Sequence, residues 1–369
     1  MFLPKVLPVP DLALGSLQSD LAQAERALGR LDAIGEILPN PDIFLMMYVR
    51  KEAVLSAQIE GTQASLDDVL NKEAGIPADR KDVEDVLNYI DALYRGIEAL
   101  DESPGQRQIA RGLICALHET MLRGTRGDGM HAGGYRKTQN WISRPGPPGP
   151  HPLDSAVYVP PPPDQVEPLM ANLIEFVNAR DELALLYRAG LAHAQFETIH
   201  PFVDGNGRLG RLLITLMLYA RGALSRPLLY LSAYLKANRT EYYEALMRVR
   251  IDGEWEQWLR FFLNGVSGAA SEGFETAKRV RSVLAEDAAR IDQSLGRRAY
   301  ARTVHDLLAK YPRVSAGFVS GRLQCAPATA ISTLGDLARL GIVREVTGRD
   351  RDRVYVYQRY LDALTPADE

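Results

Sequence analysis

The stretch HPFVDGNGRLGR, His200 to Arg211, decides how this chain is read. A segment rich in Leu, Ala and Tyr runs into it with helical character, and a second helical segment, GRLGRLLITLMLYARG, leaves it. Between them lies Asp204-Gly205-Asn206-Gly207. Two glycines flanking an asparagine can adopt positive φ, which lets several backbone N–H groups point into one concavity. That concavity falls at the N-terminus of the exiting helix, where unpaired N–H groups and the macrodipole favour an anion. Arg208 and Arg211 are three residues apart and project from one side of the first turns. Two cations at a helix N-terminus oppose the dipole, and a polyphosphate would relieve that cost.

The same run carries the remaining parts of phosphate chemistry. Asp204 stands where a carboxylate could hold a Mg²⁺ bridging phosphate oxygens. His200 is the group beside the loop whose ordinary pKa lies near neutrality, so it can take a proton from an attacking hydroxyl. A DGNGR turn by itself is a common loop-to-helix connection, and a His before Pro is often a capping residue. The full constellation is far more specific. The chain has no Walker A sequence, kinase HRD/DFG pair or HExxH zinc motif; its HE dipeptide, His118-Glu119, reads as a surface pair.

This run resembles the signature of the Fic family, HPFxDGNGRxxR, at every fixed position. The similarity extends from about Phe2 to Leu263. The resemblance implies a mainly α-helical Fic-type core with a β-hairpin flap, and an enzyme that moves AMP from ATP to a Ser, Thr or Tyr hydroxyl of a target protein. By the same resemblance His200 is the general base, Asp204 holds Mg²⁺, and Gly205, Asn206 and Gly207 line the hole for the α- and β-phosphates. Arg208 assists the phosphates, Arg211 takes the γ-phosphate, and Leu209 and Gly210 lie in the same nucleotide-binding run. Tyr243, in NRTEYYEAL, matches a position near the adenine, although a half-buried helix aromatic is an equal reading. The scaffold could equally transfer another nucleotide or a phosphocholine, or hydrolyse the modified protein. A regulator whose motif only senses nucleotide is the reading from a different class.

Working outward to the N-terminal side, Ile43 to Glu60 has helical periodicity and is stopped by Gly61. A carboxylate at a helix C-terminus faces the negative end of the dipole and calls for a cationic partner, for which Arg211 is the candidate. SAQIEG, Ser56 to Gly61, resembles the family's inhibitory motif, so Ser56 and Glu60 are expected to form a brake in which Glu60 occupies the arginine needed by the γ-phosphate.

Elsewhere the pattern is helical over Asp11 to Gly96, broken at Pro39 and Pro41, and again over Ile109 to Arg123. Tyr135 to Ser143 and Ala156 to Val159 read as two strands around the Pro/Gly tip RPGPPGPHPLD, which corresponds to the family's flap; an exposed hairpin edge can pair with an extended target segment. Further helices are expected at Asp164 to Ala179, Glu182 to Thr198, Gly207 to Arg221, Asn238 to Val249 and Trp255 to Gly268, followed by a connector helix at Ala270 to Ile291. Three short helices and an alternating REVTGRDRDRVYVY segment then suggest a winged helix. The expected organisation is an N-terminal helical region over 1–105, a catalytic core over 106–268, the connector over 269–293 and the winged helix over 294–369.

Composition narrows the function classes. The 369 residues are 46% hydrophobic and 24% charged with net charge −4, so no basic excess argues for nucleic-acid binding by the whole chain. The would-be recognition helix, PATAISTLGDLARL, has one Arg and one Asp, and the wing GRDRDR alternates in sign. DNA readers present several basic or amide side chains there, so DNA through the winged helix is supported less than protein contact. Cys115 and Cys325 are too few and too distant for a disulfide framework or a zinc site. The N-terminus does not read as a secretion signal and the most apolar run, Leu212 to Ala220, is too short to cross a bilayer. A cytoplasmic protein without membrane contact is expected, with ATP, target proteins and a second copy of the chain in a homodimer as partners.

Overall fold

In the computed structural model, residues 2–37, 41–76, 82–102, 104–125, 127–129, 131–143, 153–296 and 300–365 are described. In chain order, α1 (Gln18–Ile37), α2 (Pro41–Ile59), α3 (Leu66–Glu73), α4 (Val83–Asp101) and α5 (Arg111–Leu122) precede a small hairpin of β1 (Ile142–Ser143) and β2 (Ala156–Tyr158). Then come α6 (Pro163–Asn178), α7 (Leu185–Ile199), α8 (Asn206–Ala220), α9 (Ser232–Ala237), α10 (Arg239–Asp252) and α11 (Trp255–Leu295). The chain closes with α12 (Ala301–Lys310), β3 (Arg313–Ser315), α13 (Ala316–Leu323), α14 (Pro327–Arg339), β4 (Arg344–Glu345), β5 (Val354–Val356) and α15 (Gln358–Ala363).

The fold is mainly α-helical, and it divides into two units that cut across the chain order. One comprises residues 1–32, 52–63 and 84–271; the other comprises 33–51, 64–83 and 272–369. Helices α1, α2 and α11 contribute to both.

The first unit is built around α7. Every residue from Leu186 to Ile199 is buried, so this helix has no solvent face and forms the axis of the core. Helix α8 packs on it through a glycine. A Cβ at Gly210 would lie 2.8 Å from the Glu197 carboxyl oxygen and 3.1 Å from the Phe196 ring, so a larger residue would push the two helices apart. Leu209, Leu212 and Leu216 of α8 are fully buried, and Trp258 of α11 donates its indole N–H to the Gly190 carbonyl at 2.8 Å. The N-terminal arm is held by side-chain amides. Asn172 exchanges two 2.8 Å hydrogen bonds with the Leu7 backbone, and Gln195 donates to the Lys5 carbonyl.

The second unit holds a three-stranded antiparallel sheet in the order β3-β5-β4, with α12, α13 and α14. Val314, Leu334, Leu337 and Val356 are among its fully buried apolar residues. Asp287 is buried with them and is satisfied by the Tyr357 hydroxyl at 2.8 Å, Arg359 at 2.6 Å and Arg290 at 2.9 Å.

Two expectations are corrected. Only Ile142 and Ser143 of the segment from Tyr135 form strand, because the Arg136 N–H is drawn away to the Pro201 carbonyl at 2.8 Å. Trp255 to Ile291 is one continuous helix rather than two; Gly265 does not break it but gives room to the Tyr234 ring, 2.8 Å from where a Cβ would sit. Helix α9 and strand β3 were not legible as separate elements. The tip of the hairpin, with the expected break at Pro39, lies outside the described residues. Among the described residues no helix is long and apolar enough to cross a membrane.

Candidate active site

His200 to Arg211 joins α7 to α8 in the first unit. Helix α7 ends on His200, whose N–H donates to the Phe196 carbonyl at 2.9 Å while its backbone takes a left-handed conformation (φ 49°, ψ 61°). That is the position where helices usually place glycine, so the histidine is held there against its own preference. Phe202 is buried, and both its backbone groups are bound at 2.9 Å by the Asn206 side chain. Asn206 therefore braces the loop with its amide. Gly205 supplies a second left-handed residue (φ 75°) directly before α8, and no side chain caps the helix start. The amides of the first turn are thus presented as an uncapped N-terminus.

Gly207 is needed for close approach: a Cβ there would overlap the Glu60 carboxylate and lie 2.9 Å from Arg211 Nη1. Leu209 is fully buried and Gly210 faces α7, so these two residues belong to the core side of α8. Tyr243 lies on α10, beside the buried Tyr242; the residue is 38% exposed, with the Arg239 guanidinium over its ring at 5.6 Å.

Arg208 and Arg211 are both buried, and a carboxylate from outside the loop binds both. Glu60 Oε1 pairs with Arg211 Nη2 at 2.8 Å, and Glu60 Oε2 with Arg208 Nε at 3.0 Å. Arg208 also pairs with Asp85 at 2.7 Å and approaches Asp204 Oδ2 at 3.8 Å. The end of α2 is shaped for this contact. The Glu60 N–H tightens onto the Ala57 carbonyl at 3.0 Å, and Gly61 takes φ 96°. That leaves the Ser56 carbonyl to accept from Arg211 Nη2 at 2.9 Å, while the Ser56 hydroxyl accepts from Arg211 Nε at 2.8 Å. A cation at the carbonyl end of a helix is favoured by the dipole. Glu52, Ser56 and Glu60 recur every four residues and share a face. Glu52 anchors that face at the start of α9, accepting from the Ser232 hydroxyl at 2.5 Å and its N–H at 3.1 Å.

Charge states follow from this packing. Burial alone would raise the Glu60 carboxyl, but Arg211 and Arg208 outweigh it and hold it below the ordinary carboxylate range. Burial pushes Glu52 to about 7, and Glu197 likewise to about 7. Burial, with Arg250 and Arg136 nearby, pushes the His200 imidazole down to about 3, so it is neutral at physiological pH. Its Nδ1 is buried and makes no well-formed hydrogen bond among the described residues, with the Glu197 backbone carbonyl beside the ring.

Asp204 is half exposed. Its Oδ1 accepts from the Gly205 N–H at 2.7 Å, and among the described residues its Oδ2 makes only the long Arg208 contact. No cluster of three or more His, Cys, Asp or Glu side chains suited to a metal occurs among the described residues. A cation here would have one carboxylate and would need its other oxygens from a phosphate ligand and water, which is the pattern Mg²⁺ adopts at nucleotide sites.

His118 is a correction. Expected at the surface, it is fully buried. Its ring stacks on Phe202 at 3.8 Å between centroids, its Nδ1 accepts from the Gly133 N–H at 2.9 Å, and its Nε2 lies 2.9 Å from the Asp204 carbonyl. With Nδ1 accepting, the proton sits on Nε2 and is donated to Asp204. His118 thus ties the glycine-rich segment after α5 to the loop. The signal available in the sequence was its place in the apolar run Leu113 to Met121, four residues after Ile114.

Comparisons with known proteins place the loop within a known family. Residues 18–98 match the Fic/DOC family N-terminal domain, and residues 108–218 match the Fic/DOC family domain, which includes the loop. A probable protein adenylyltransferase of Aquifex aeolicus (strain VF5) is 26% identical over 198 residues, 53% of this chain and 56% of its own. Protein adenylyltransferase fic-1 of Caenorhabditis elegans is 28% identical over 159 residues, 42% of this chain and 27% of its own. The chain thus spans between about a quarter and a little over half the length of these curated relatives. Among solved structures, a Fic family protein from Desulfovibrio desulfuricans G20 superposes with a TM-score of 0.60 at 21% identity, covering 94% of this chain and 97% of its own. That likeness concerns the fold. The two matched domains come from one family and together take in just over half of the residues; the chain belongs to the Fic/DOC family.

Proposed function

We propose that this chain is a protein adenylyltransferase held in check by Glu60. The observation that carries the proposal is the double pairing of Glu60 with Arg208 and Arg211 at the uncapped start of α8. Two buried guanidiniums at that place need a counter-charge, and a triphosphate can take over the role now filled by a carboxylate. Relatives named adenylyltransferase in Aquifex aeolicus and Caenorhabditis elegans support AMP as the group moved.

In this reading the amides of Asn206 and Gly207 receive the α- and β-phosphates, and Arg208 and Arg211 hold the outer phosphates once Glu60 has moved away. Asp204 holds Mg²⁺, which when bound offsets negative charge on the phosphates. A Ser, Thr or Tyr hydroxyl of the target attacks the α-phosphorus. Its O–P bond forms, the bond to the β-phosphate bridge breaks, pyrophosphate leaves, and the hydroxyl proton passes to the neutral His200 imidazole. Because the donors are fixed before the reaction begins, electrostatic positioning supplies the larger part of the rate. The hairpin of β1 and β2 offers main-chain groups to an extended target segment.

The test is incorporation of label from ATP marked at the α-phosphorus, with Mg²⁺, into the chain itself and into added proteins. Glu60→Gly should incorporate at least about tenfold more than the unaltered protein, His200→Ala should incorporate none above background, and ATP marked at the γ-phosphorus should transfer nothing. Equal labelling in His200→Ala, or no α-label in any variant, would overturn the assignment.

A further inference from the structure

The helix that delivers His200 ends on a set of carbonyls whose partners are unusual. The four carbonyls from Glu197 to His200 follow the last helical hydrogen bond of α7 and need donors from elsewhere. Arg250 of α10 donates to the Glu197 carbonyl at 3.0 Å, and its Nε reaches the Thr198 hydroxyl at 3.3 Å. The Tyr158 hydroxyl, from β2, donates to the Thr198 carbonyl at 2.8 Å, with its ring beneath the Arg250 guanidinium at 3.9 Å. Arg136 donates to the Ile199 carbonyl at 3.4 Å and to the His200 carbonyl at 2.9 Å. It also reaches Thr138 and Pro161, one on either side of the hairpin, at 3.4 and 2.5 Å.

Both guanidiniums are buried, and neither makes an ion pair with a carboxylate among the described residues. A buried cation is ordinarily paired, because an unpaired one is costly. Here two of them converge on one helix end, where the dipole repays part of that cost.

We propose that Arg136 and Arg250 are positioning residues for His200: they hold its left-handed turn through the terminal carbonyls of α7, and they oppose a positive charge on its imidazole until an anionic donor is bound. The charged groups acting on that imidazole are Arg250 from α10, Arg136 from the segment before β1 and Glu60 from the end of α2, with the Glu197 backbone carbonyl beside it. Glu60 acts in the opposite sense to the two arginines. When a triphosphate settles at the start of α8, its negative charge is added to the same site and the imidazole becomes a stronger base. The base is therefore weak in the empty site and gains strength from the substrate it serves. This inference rests on the reading of His200 as the base.

The test follows the His200 ring signals by NMR across pH in the full chain with labelled histidine, assigned through the signal missing from His200→Gln. The unaltered protein should keep His200 neutral down to about pH 5. Arg250→Gln should raise its titration by about one pH unit or more, whereas Arg250→Lys, which retains the charge, should stay near the unaltered protein. A role confined to packing would move neither titration. Where Arg250→Gln does not fold, the second arm decides: in Glu60→Gly, α,β-methylene-ATP with Mg²⁺ should raise the His200 titration relative to the same variant alone. Coincident titrations in Arg250→Gln and the unaltered protein, or no rise with the analogue, would overturn the proposal. Neither result depends on AMP transfer, so a failure of the adenylyltransferase reading would be seen separately, as absent labelling.

Discussion

Two pairs of buried arginines flank the loop between α7 and α8, and the chain treats them in opposite ways. Arg208 and Arg211, ahead of the loop, meet carboxylates from Glu60 and Asp85. Arg136 and Arg250, behind it, meet carbonyls, one hydroxyl, the Met247 sulfur and the Tyr158 ring, and no carboxylate among the described residues. The first pair is neutralised by a group at the end of a helix, which can be exchanged for another anion. The second is neutralised by permanent parts of the scaffold, which cannot. An anion arriving at the loop can therefore displace a partner on one side and only add its field on the other. In the proposed function the front pair would set affinity and inhibition, and the rear pair the state of the base.

The comparison can be broken most severely at the residue between the two pairs. His200→Ala should lower transfer by about 10²–10⁴-fold while Mg·ATP affinity in a Glu60→Gly background stays unchanged by calorimetry. Next, Arg211→Ala in that background should weaken Mg·ATP about ten- to a hundredfold, the loss expected of a charge-assisted contact to phosphate. Glu60→Gly leaves Arg211 without its acid and Arg208 with Asp85 alone. Since about a quarter of the Glu60 side chain is exposed, the cost should be about 1–3 kcal/mol, read as a lower Tm that Mg·ATP restores.

A finer test separates the pairs by pH. Burial and the rear arginines hold the free His200 well below its ordinary range. The acid limb of kcat/KM for ATP, which reports the free protein, should therefore lie at lower pH than the acid limb of kcat, which reports the bound state. Coincident limbs would show that the nucleotide does not act on the imidazole. The smallest effect is expected at His118. His118→Phe keeps the stack on Phe202 and loses the bonds to Gly133 and Asp204. It should lower stability by about 1–3 kcal/mol and raise the Mg²⁺ concentration needed for half-maximal rate; a change in Tm alone would make His118 purely structural.

The front of this site was legible in the sequence and the rear was not. Arg208, Arg211 and the turn at Gly205 follow from local spacing, because three residues on a helix fix a common side and a glycine before a helix permits positive φ. Glu60 was legible as a carboxylate at a helix end, and Arg211 as its partner. The second contact, to Arg208, needed the placement of α2 beside α8. Arg136 and Arg250 come from segments 64 and 50 residues away from His200, and nothing in their neighbourhoods distinguishes them from surface arginines. The left-handed turn at His200 was hidden for the same reason. A histidine has no preference for it, and only the partners of its carbonyl hold it there. Helix boundaries in α6, α7 and α8 were readable within a few residues, since apolar periodicity and proline at the start of α6 are local signals. The single long α11 was not, because glycine inside a helix is ambiguous until its packing partner is known.

The most direct test of the exchange between carboxylate and triphosphate is the Kd for Mg·ATP measured by calorimetry in His200→Ala and in His200→Ala/Glu60→Gly, where no transfer consumes the ligand. If Glu60 and the nucleotide compete for Arg208 and Arg211, removing Glu60 should tighten binding by about tenfold or more, about 1.4 kcal/mol. Equal Kd values in the two proteins would contradict the account.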